Sequence, residues 1–237
     1  MIIAAVRTLA ALITVAIYIV VCGPPVLLWT IASKNPRLIY RAGAAGIRIG
    51  FALAGIRVRV LGREHLQPAA VYACNHASNI EPPAVFLALQ SLFPKVRVVY
   101  KAELRKLPVL VWVFDAAGFV PIERGNPTQS RPAVDQAAEG LKQGNAFVIF
   151  PEGTRSRTGQ LLPFKKGGFL MAIKAHAPIV PVAVSGAKEA MRKGSPLIWP
   201  ATVTVRLGGE IPTTGFTLDD RDELIARVRQ AMQSMLD

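Results

Sequence analysis

The sequence predicts an α/β domain with a central, mostly parallel sheet flanked by helices and preceded by N-terminal membrane helices. Three observations carry this. Continuous apolar runs at 146–150 and 179–184 suit strands covered on both faces, as the strands of parallel sheets are. They alternate with helix-like stretches, the pattern of βα units. From Met1 to Ala32 the only charged residue is Arg7, and about 20 apolar residues are enough to cross a bilayer. The 237 residues suit one domain with a full core plus an extension. The expected division is an anchoring segment, 1–55, and an α/β domain, 56–237.

Taken in order, the first element is the apolar one. Pro24 and Pro25 are expected to kink or break its helix near the middle, so a straight span, a re-entrant hairpin and a cleaved signal are all readings of it. Val20-Val21-Cys22 lacks the small-x-small site that cleavage wants. Lys34, Arg37, Arg41 and Arg48 follow the stretch, against a lone Arg7 before it; the positive-inside rule then puts the rest of the chain on the cytoplasmic side. Residues 36–60 set arginines among Leu38, Ile39, Ile47 and Phe51. Their first part reads as a helix lying at the membrane interface, the alternative being a helix packed on the globular core.

Arg57-Val58-Arg59-Val60 alternates as a half-exposed strand does. Residues 71–74 form a short apolar strand, 82–89 a helix with prolines in its first turn, and 96–100 another strand. Residues 104–117 are helical with a break at Pro108, and 119–122 are extended. Ser130 is expected to cap a helix that has Pro132 near its start and ends at Gly144. After the strand at 146–150 come a helix over 168–175, the strand at 179–184, an extended stretch at 202–206 and an amphipathic helix over 218–235. The acidic start of this last helix, Asp219-Asp220, suits its dipole.

Composition narrows the partners. The chain is 51% hydrophobic yet carries a formal net charge of +13, from 28 Lys+Arg against 15 Asp+Glu. Greasy and basic together point to an anionic membrane surface. Nucleic acid is not expected, because the basic residues are scattered among apolar segments and no RNP-type, zinc-finger or helix-turn-helix pattern is present. Cys22 and Cys74 lie in apolar runs, so no disulfide is expected and a reducing compartment is permitted.

Two short segments carry chemistry. His76 follows a strand-like run, and Glu81 can return to its imidazole if the intervening residues form about one turn. A carboxylate on one ring nitrogen fixes the tautomer and supports the imidazolium formed when the other takes a proton. Such a spacing also recurs by chance. Ser78 or Cys74 as a covalent nucleophile is a second reading, although no separate base serves Ser78, which suits a turn or cap. A metal would want three or more ligands, and no cluster supplies them. His65 and His176 read as local hydrogen-bonding groups. Gly153-Thr154-Arg155 follows a buried strand, where backbone amides and a guanidinium could hold a phosphate; an ordinary polar turn is the equal alternative.

The order of segments decides between these. Asn75-His76-x-Ser78-x-x-Glu81, Lys101-x-Glu103-Leu104 with Gly118-x-x-x-Ile122-x-Arg124, Phe150-Pro151-Glu152-Gly153-Thr154-Arg155-Ser156, and Ile179-Val180-Pro181-Val182 resemble the four motifs of the glycerophospholipid acyltransferase family, specifically its 1-acylglycerol-3-phosphate acyltransferases. The resemblance covers roughly residues 62–208, and the third motif is highly specific. One position departs: the family's first motif ends in Asp, where this chain has Glu81.

The resemblance implies that His76, oriented by Glu81, deprotonates the hydroxyl of lysophosphatidate, which attacks the thioester of acyl-CoA or acyl carrier protein. It implies that Lys101, Arg124 and Arg155 hold the acceptor's phosphate, with Glu152, Gly153 and Thr154 in the same binding segment. No metal or other cofactor is expected beyond the acyl donor as co-substrate. Membrane lipids, the donor and lysophosphatidate are the expected partners. The rival readings are an acyltransferase for another lysolipid, such as a lyso-ornithine lipid, and a non-catalytic lipid-binding protein.

Overall fold

The structure, a computed structural model, describes residues 1–123 and 127–237. It begins with one long helix, α1 (Ile2–Ser33), which runs through Pro24 and Pro25 without ending. Of the expected kink or break, no break occurs, since proline's fixed φ is itself compatible with a helix. At 1.5 Å per residue its 32 residues span about 48 Å, more than the roughly 30 Å of a bilayer's hydrocarbon core. Ile2, Leu12, Val20 and Trp29 are exposed on it. Only Ala4, Thr8, Ala11 and Thr30 are buried.

The second helix, α2 (Arg37–Ala54), packs along α1. A Cβ on Gly46 would come within 2.9 Å of the Tyr18 ring and one on Gly50 within 3.0 Å of Val15, so a larger residue at either position would have to push a side chain of α1 aside. Tyr18 completes the contact by donating its hydroxyl to the Ala42 carbonyl at 2.9 Å. The other side of α2 enters the core. Tyr40, Phe51 and Ala54 are buried there with the sheet, and the Tyr40 hydroxyl bonds the carbonyls of Val96 and, at 3.1 Å, Ala117, while Arg97 donates to it at 2.8 Å. Burial pushes the Tyr40 phenol up to about 12 against the opposing pull of Arg97. Of the two readings left for this segment, its buried face follows the core-packed one; Arg37, Arg41 and Arg48 remain exposed.

The rest of the chain alternates as expected: β1 (Ile56–Leu61), β2 (Val71–Cys74), α3 (Glu81–Ala88), β3 (Val96–Lys101), α4 (Pro108–Ala116), β4 (Val120–Ile122), α5 (Pro127–Lys142), β5 (Ala146–Ile149), α6 (Gly167–Ala175), β6 (Ile179–Ser185), α7 (Ala187–Ala190), β7 (Ala201–Leu207) and α8 (Arg221–Leu236). A 3-10 turn at Ala102–Lys106 precedes α4, which accounts for the break at Pro108. α5 starts at Pro127, ahead of Ser130. Ser130 is therefore inside the helix and not its cap, since proline at the first helical position lacks only an N–H that would be unpaired anyway.

Among the described residues the strands form one seven-stranded sheet in the order β1-β7-β6-β2-β5-β3-β4. Every pairing is parallel except β6 with β7. Side chains alternate along β2, so Tyr72 and Cys74 join one core with α2 and α3 while Val71 and Ala73 join the other with α5, α6 and α8. This sandwich makes β2, β5 and β6 almost wholly buried. Their parallel registry, Ala73 beside Ile149 and Cys74 beside Val182, brings the loops that follow them to one edge of the sheet.

Candidate active site

At the end of β2 the side chain of Asn75 continues the ladder to β6, accepting the Val184 N–H at 2.7 Å and donating to the Val184 carbonyl at 3.0 Å. The next residue turns away into the loop. His76 Nδ1 lies 2.9 Å from Glu81 Oε2. The carboxylate is held in turn by the Ala77 N–H, 2.9 Å from Oε1 and 2.8 Å from Oε2, and is 1% exposed against 18% for the imidazole. Phe150 packs on the ring, with centroids 4.5 Å apart. Nδ1 therefore carries its proton toward Glu81, and Nε2 is left without a partner among the described residues, ready to accept one. Glu81 opens α3, which places its longer side chain within reach of the base.

The second loop is tied to the first through Glu152, which is 3% exposed. Its Oε1 accepts the His76 backbone N–H at 2.6 Å and its Oε2 the Leu162 N–H at 2.9 Å. The Ser156 N–H bonds back to the His76 carbonyl at 2.7 Å. Burial raises the Glu152 carboxyl above its usual range, with the two amides pulling the other way. Both oxygens being engaged within the chain, this carboxylate faces the two loops and not an open binding surface. Beyond it, Arg229 of α8 donates to the Leu161 and Leu162 carbonyls at 2.8 and 2.6 Å. Glu152→Leu, of similar size but with no acceptor, orphans two amides at about 1–3 kcal/mol each. At roughly 2–4 °C per kcal/mol for a chain of this length, thermal denaturation is expected to show a fall in Tm of several degrees; an unchanged Tm would mean that the amides find other partners.

Past Glu152 the chain turns at Gly153, whose φ of +70° favours glycine. The amides of Thr154 and Arg155 donate no hydrogen bond to the described residues. Thr154 is exposed, Arg155 is half-buried, and the Arg155 guanidinium makes no ion pair with them. Such a pair of amides beside a cation suits an anion. Lys101 sits at the end of β3, on the far side of β5 from β2, and is paired at 2.8 Å with Glu103. Arg124 lies outside the described residues.

The two nucleophile readings meet different obstacles. Ser78 is fully buried, with its hydroxyl donated to the Met191 carbonyl at 2.7 Å and accepting the Ile80 N–H at 3.2 Å. Cys74 is buried as well, and burial, helped by Glu81, pushes its thiol well up. Both cysteines are free. Sequence reasoning missed the anchoring role of Asn75 and the contact of Lys193 Nζ with the Arg155 carbonyl at 2.7 Å, because neither residue type signals which backbone it will meet.

Comparison with known proteins agrees with this geometry. A family profile described as Acyltransferase matches residues 57–185. The 1-acyl-sn-glycerol-3-phosphate acyltransferase of Limnanthes douglasii is 35% identical over 73% of this chain and 61% of its own. For the 1-acyl-sn-glycerol-3-phosphate acyltransferase alpha of Homo sapiens the identity is 33%, over 76% and 64%. The chain thus spans about three fifths of the length of these curated relatives. The crystal structure of the 1-acyl-sn-glycerophosphate (LPA) acyltransferase PlsC from Thermotoga maritima superposes with a TM-score of 0.82 at 25% identity, covering 98% of this chain and 95% of that one. Since the matched region takes in more than half of the sequence and both loops that meet at His76, the chain belongs to the acyltransferase family.

Proposed function

We propose that the protein transfers an acyl chain from an acyl thioester to the free hydroxyl of lysophosphatidate, giving phosphatidate. The observation that carries this is one edge of the sheet holding both a base whose Nδ1 lies 2.9 Å from Glu81 and, one loop away, an Arg155 with no ion pair and two amides with no acceptor among the described residues. His76 Nε2 takes the hydroxyl proton as the oxygen attacks the thioester carbonyl. The C–S bond then breaks, and the imidazolium gives its proton to the departing thiolate, which restores the neutral base. Glu81 stabilises that cation while it lasts. Acyl-CoA and acyl carrier protein both present such a thioester.

The lipid nature of the substrates accords with the N-terminal helices. An apolar groove of about 370 Å³ runs between α1 and α2, lined by Val15, Ile19, Val26 and Ile47, and reaches Ile80 beside Glu81. The exposed apolar side chains of α1 would lie in a membrane, with the catalytic domain on its cytoplasmic side. An acceptor without a phosphate would leave Arg155 unused, which favours lysophosphatidate over other lysolipids. Acyl transfer by the purified protein, offered lysophosphatidate with each donor and scored by mass spectrometry, tests the reading; absence of phosphatidate with both donors would overturn it. In the same assay Arg155→Ala is expected to raise the KM of lysophosphatidate by about tenfold or more, as loss of a charge-assisted bond should, with the donor's KM much less changed. An equal effect on both would move Arg155 out of the phosphate site.

A further inference from the structure

α7 and the turn after it hang from the end of β6 and reach back over both site loops. Ser78 holds this segment to the histidine loop through the Met191 carbonyl at 2.7 Å. Two lysines hold it to the arginine loop. Lys188 Nζ donates to the Thr158 carbonyl, and Lys193 Nζ donates to the carbonyl of Arg155 itself at 2.7 Å. Lys193 is half-buried, and no carboxylate among the described residues pairs with it. An ammonium has three N–H donors, so two remain for a ligand.

Charge balance shows what they could meet. A phosphate monoester carries close to two negative charges near neutral pH, its second pKa being about 6, and the single guanidinium of Arg155 neutralises half of that. Of the other cations expected from sequence to share the task, Lys101 is already paired with Glu103 at 2.8 Å and Arg124 lies outside the described residues. We propose that Lys193 is a second cation of the acceptor's phosphate site, acting beside Arg155 and the Thr154 and Arg155 amides. The inference rests on the reaction proposed above. It assigns to the segment after β6 a part in choosing a phosphorylated acceptor, where its hydrogen bonds alone describe a tether.

Three variants of the full chain separate cation from tether. Lys193→Gln keeps an N–H donor for the Arg155 carbonyl and loses the charge; Lys193→Arg keeps the charge; Lys193→Met loses both. Steady-state acyl transfer in mixed micelles, with lysophosphatidate and donor varied separately, is expected to show about a tenfold higher lysophosphatidate KM for Lys193→Gln. Donor KM, kcat and Tm should stay close to wild type, Lys193→Arg should recover most of the loss, and Lys193→Met should resemble Lys193→Gln. Wild-type acceptor KM in Lys193→Gln with a rise only in Lys193→Met would show a tether alone and overturn the proposal. A rise confined to the donor's KM would also overturn it, assigning the ammonium to the donor's phosphates. If the wild-type chain itself leaves lysophosphatidate unacylated, the reaction reading fails first and this one with it, and that failure is visible without any variant.

Discussion

His76→Ala is expected to lower kcat by about 10²–10⁴-fold, the usual worth of general acid–base assistance, while the far-UV circular dichroism and the Tm stay near those of the wild type. The fold should survive because an alanine keeps the two backbone bonds that join the loops, the N–H to Glu152 and the carbonyl to Ser156, and Glu81 keeps the Ala77 N–H. No other histidine can stand in. His65 lies in the 3-10 turn Arg63–His65 beside Glu64, and His176 terminates α6 in a left-handed conformation. A variant retaining more than about a tenth of the wild-type rate would remove His76 from the role of base.

Glu81→Gln should cost about as much, on the order of 10⁴-fold in kcat, as when the carboxylate of a catalytic triad becomes an amide. The amide can no longer accept the Nδ1 proton and the Ala77 N–H without turning its own NH₂ toward one of them. The tautomer with a free, basic Nε2 then loses its support. Glu81→Asp distinguishes reach from charge. Glu81 is the first residue of α3, so its backbone is set by the helix, and its carboxylate meets Nδ1 at 2.9 Å. Removing one methylene withdraws the carboxylate by roughly one C–C bond, about 1.5 Å, so Asp is expected to be impaired in kcat although the family's first motif ordinarily carries it. A near wild-type kcat in Glu81→Gln would separate the acid from the base and dissolve the pair.

Much of this was legible in the sequence because it is local. Period-2 and continuous apolar runs marked β1, β2, β5 and β6, and the acid at a fixed offset from His76 needed only one turn to close on it. The glycine and arginine after β5 marked a turn that could hold an anion or be an ordinary polar turn, and the joint resemblance of four segments pointed to the acyltransferase family. The exposed apolar face of α1 was equally plain, since a run with one charge can be read without knowing its neighbours.

What the tertiary structure decided is non-local. Strand order is not written in the periodicity of any single strand, yet it is the adjacency of β2 and β5 that puts Glu152 under the backbone of His76 and makes it a clamp between loops. Tertiary packing likewise lays one face of α2 on the core, where its arginines had suggested the membrane surface. Hydrophobic periodicity says which face of an element is covered but not by what; chain crossings and register decide that, and they brought Lys193 against Arg155, a contact between residues far apart in sequence whose side chains give no sign of each other.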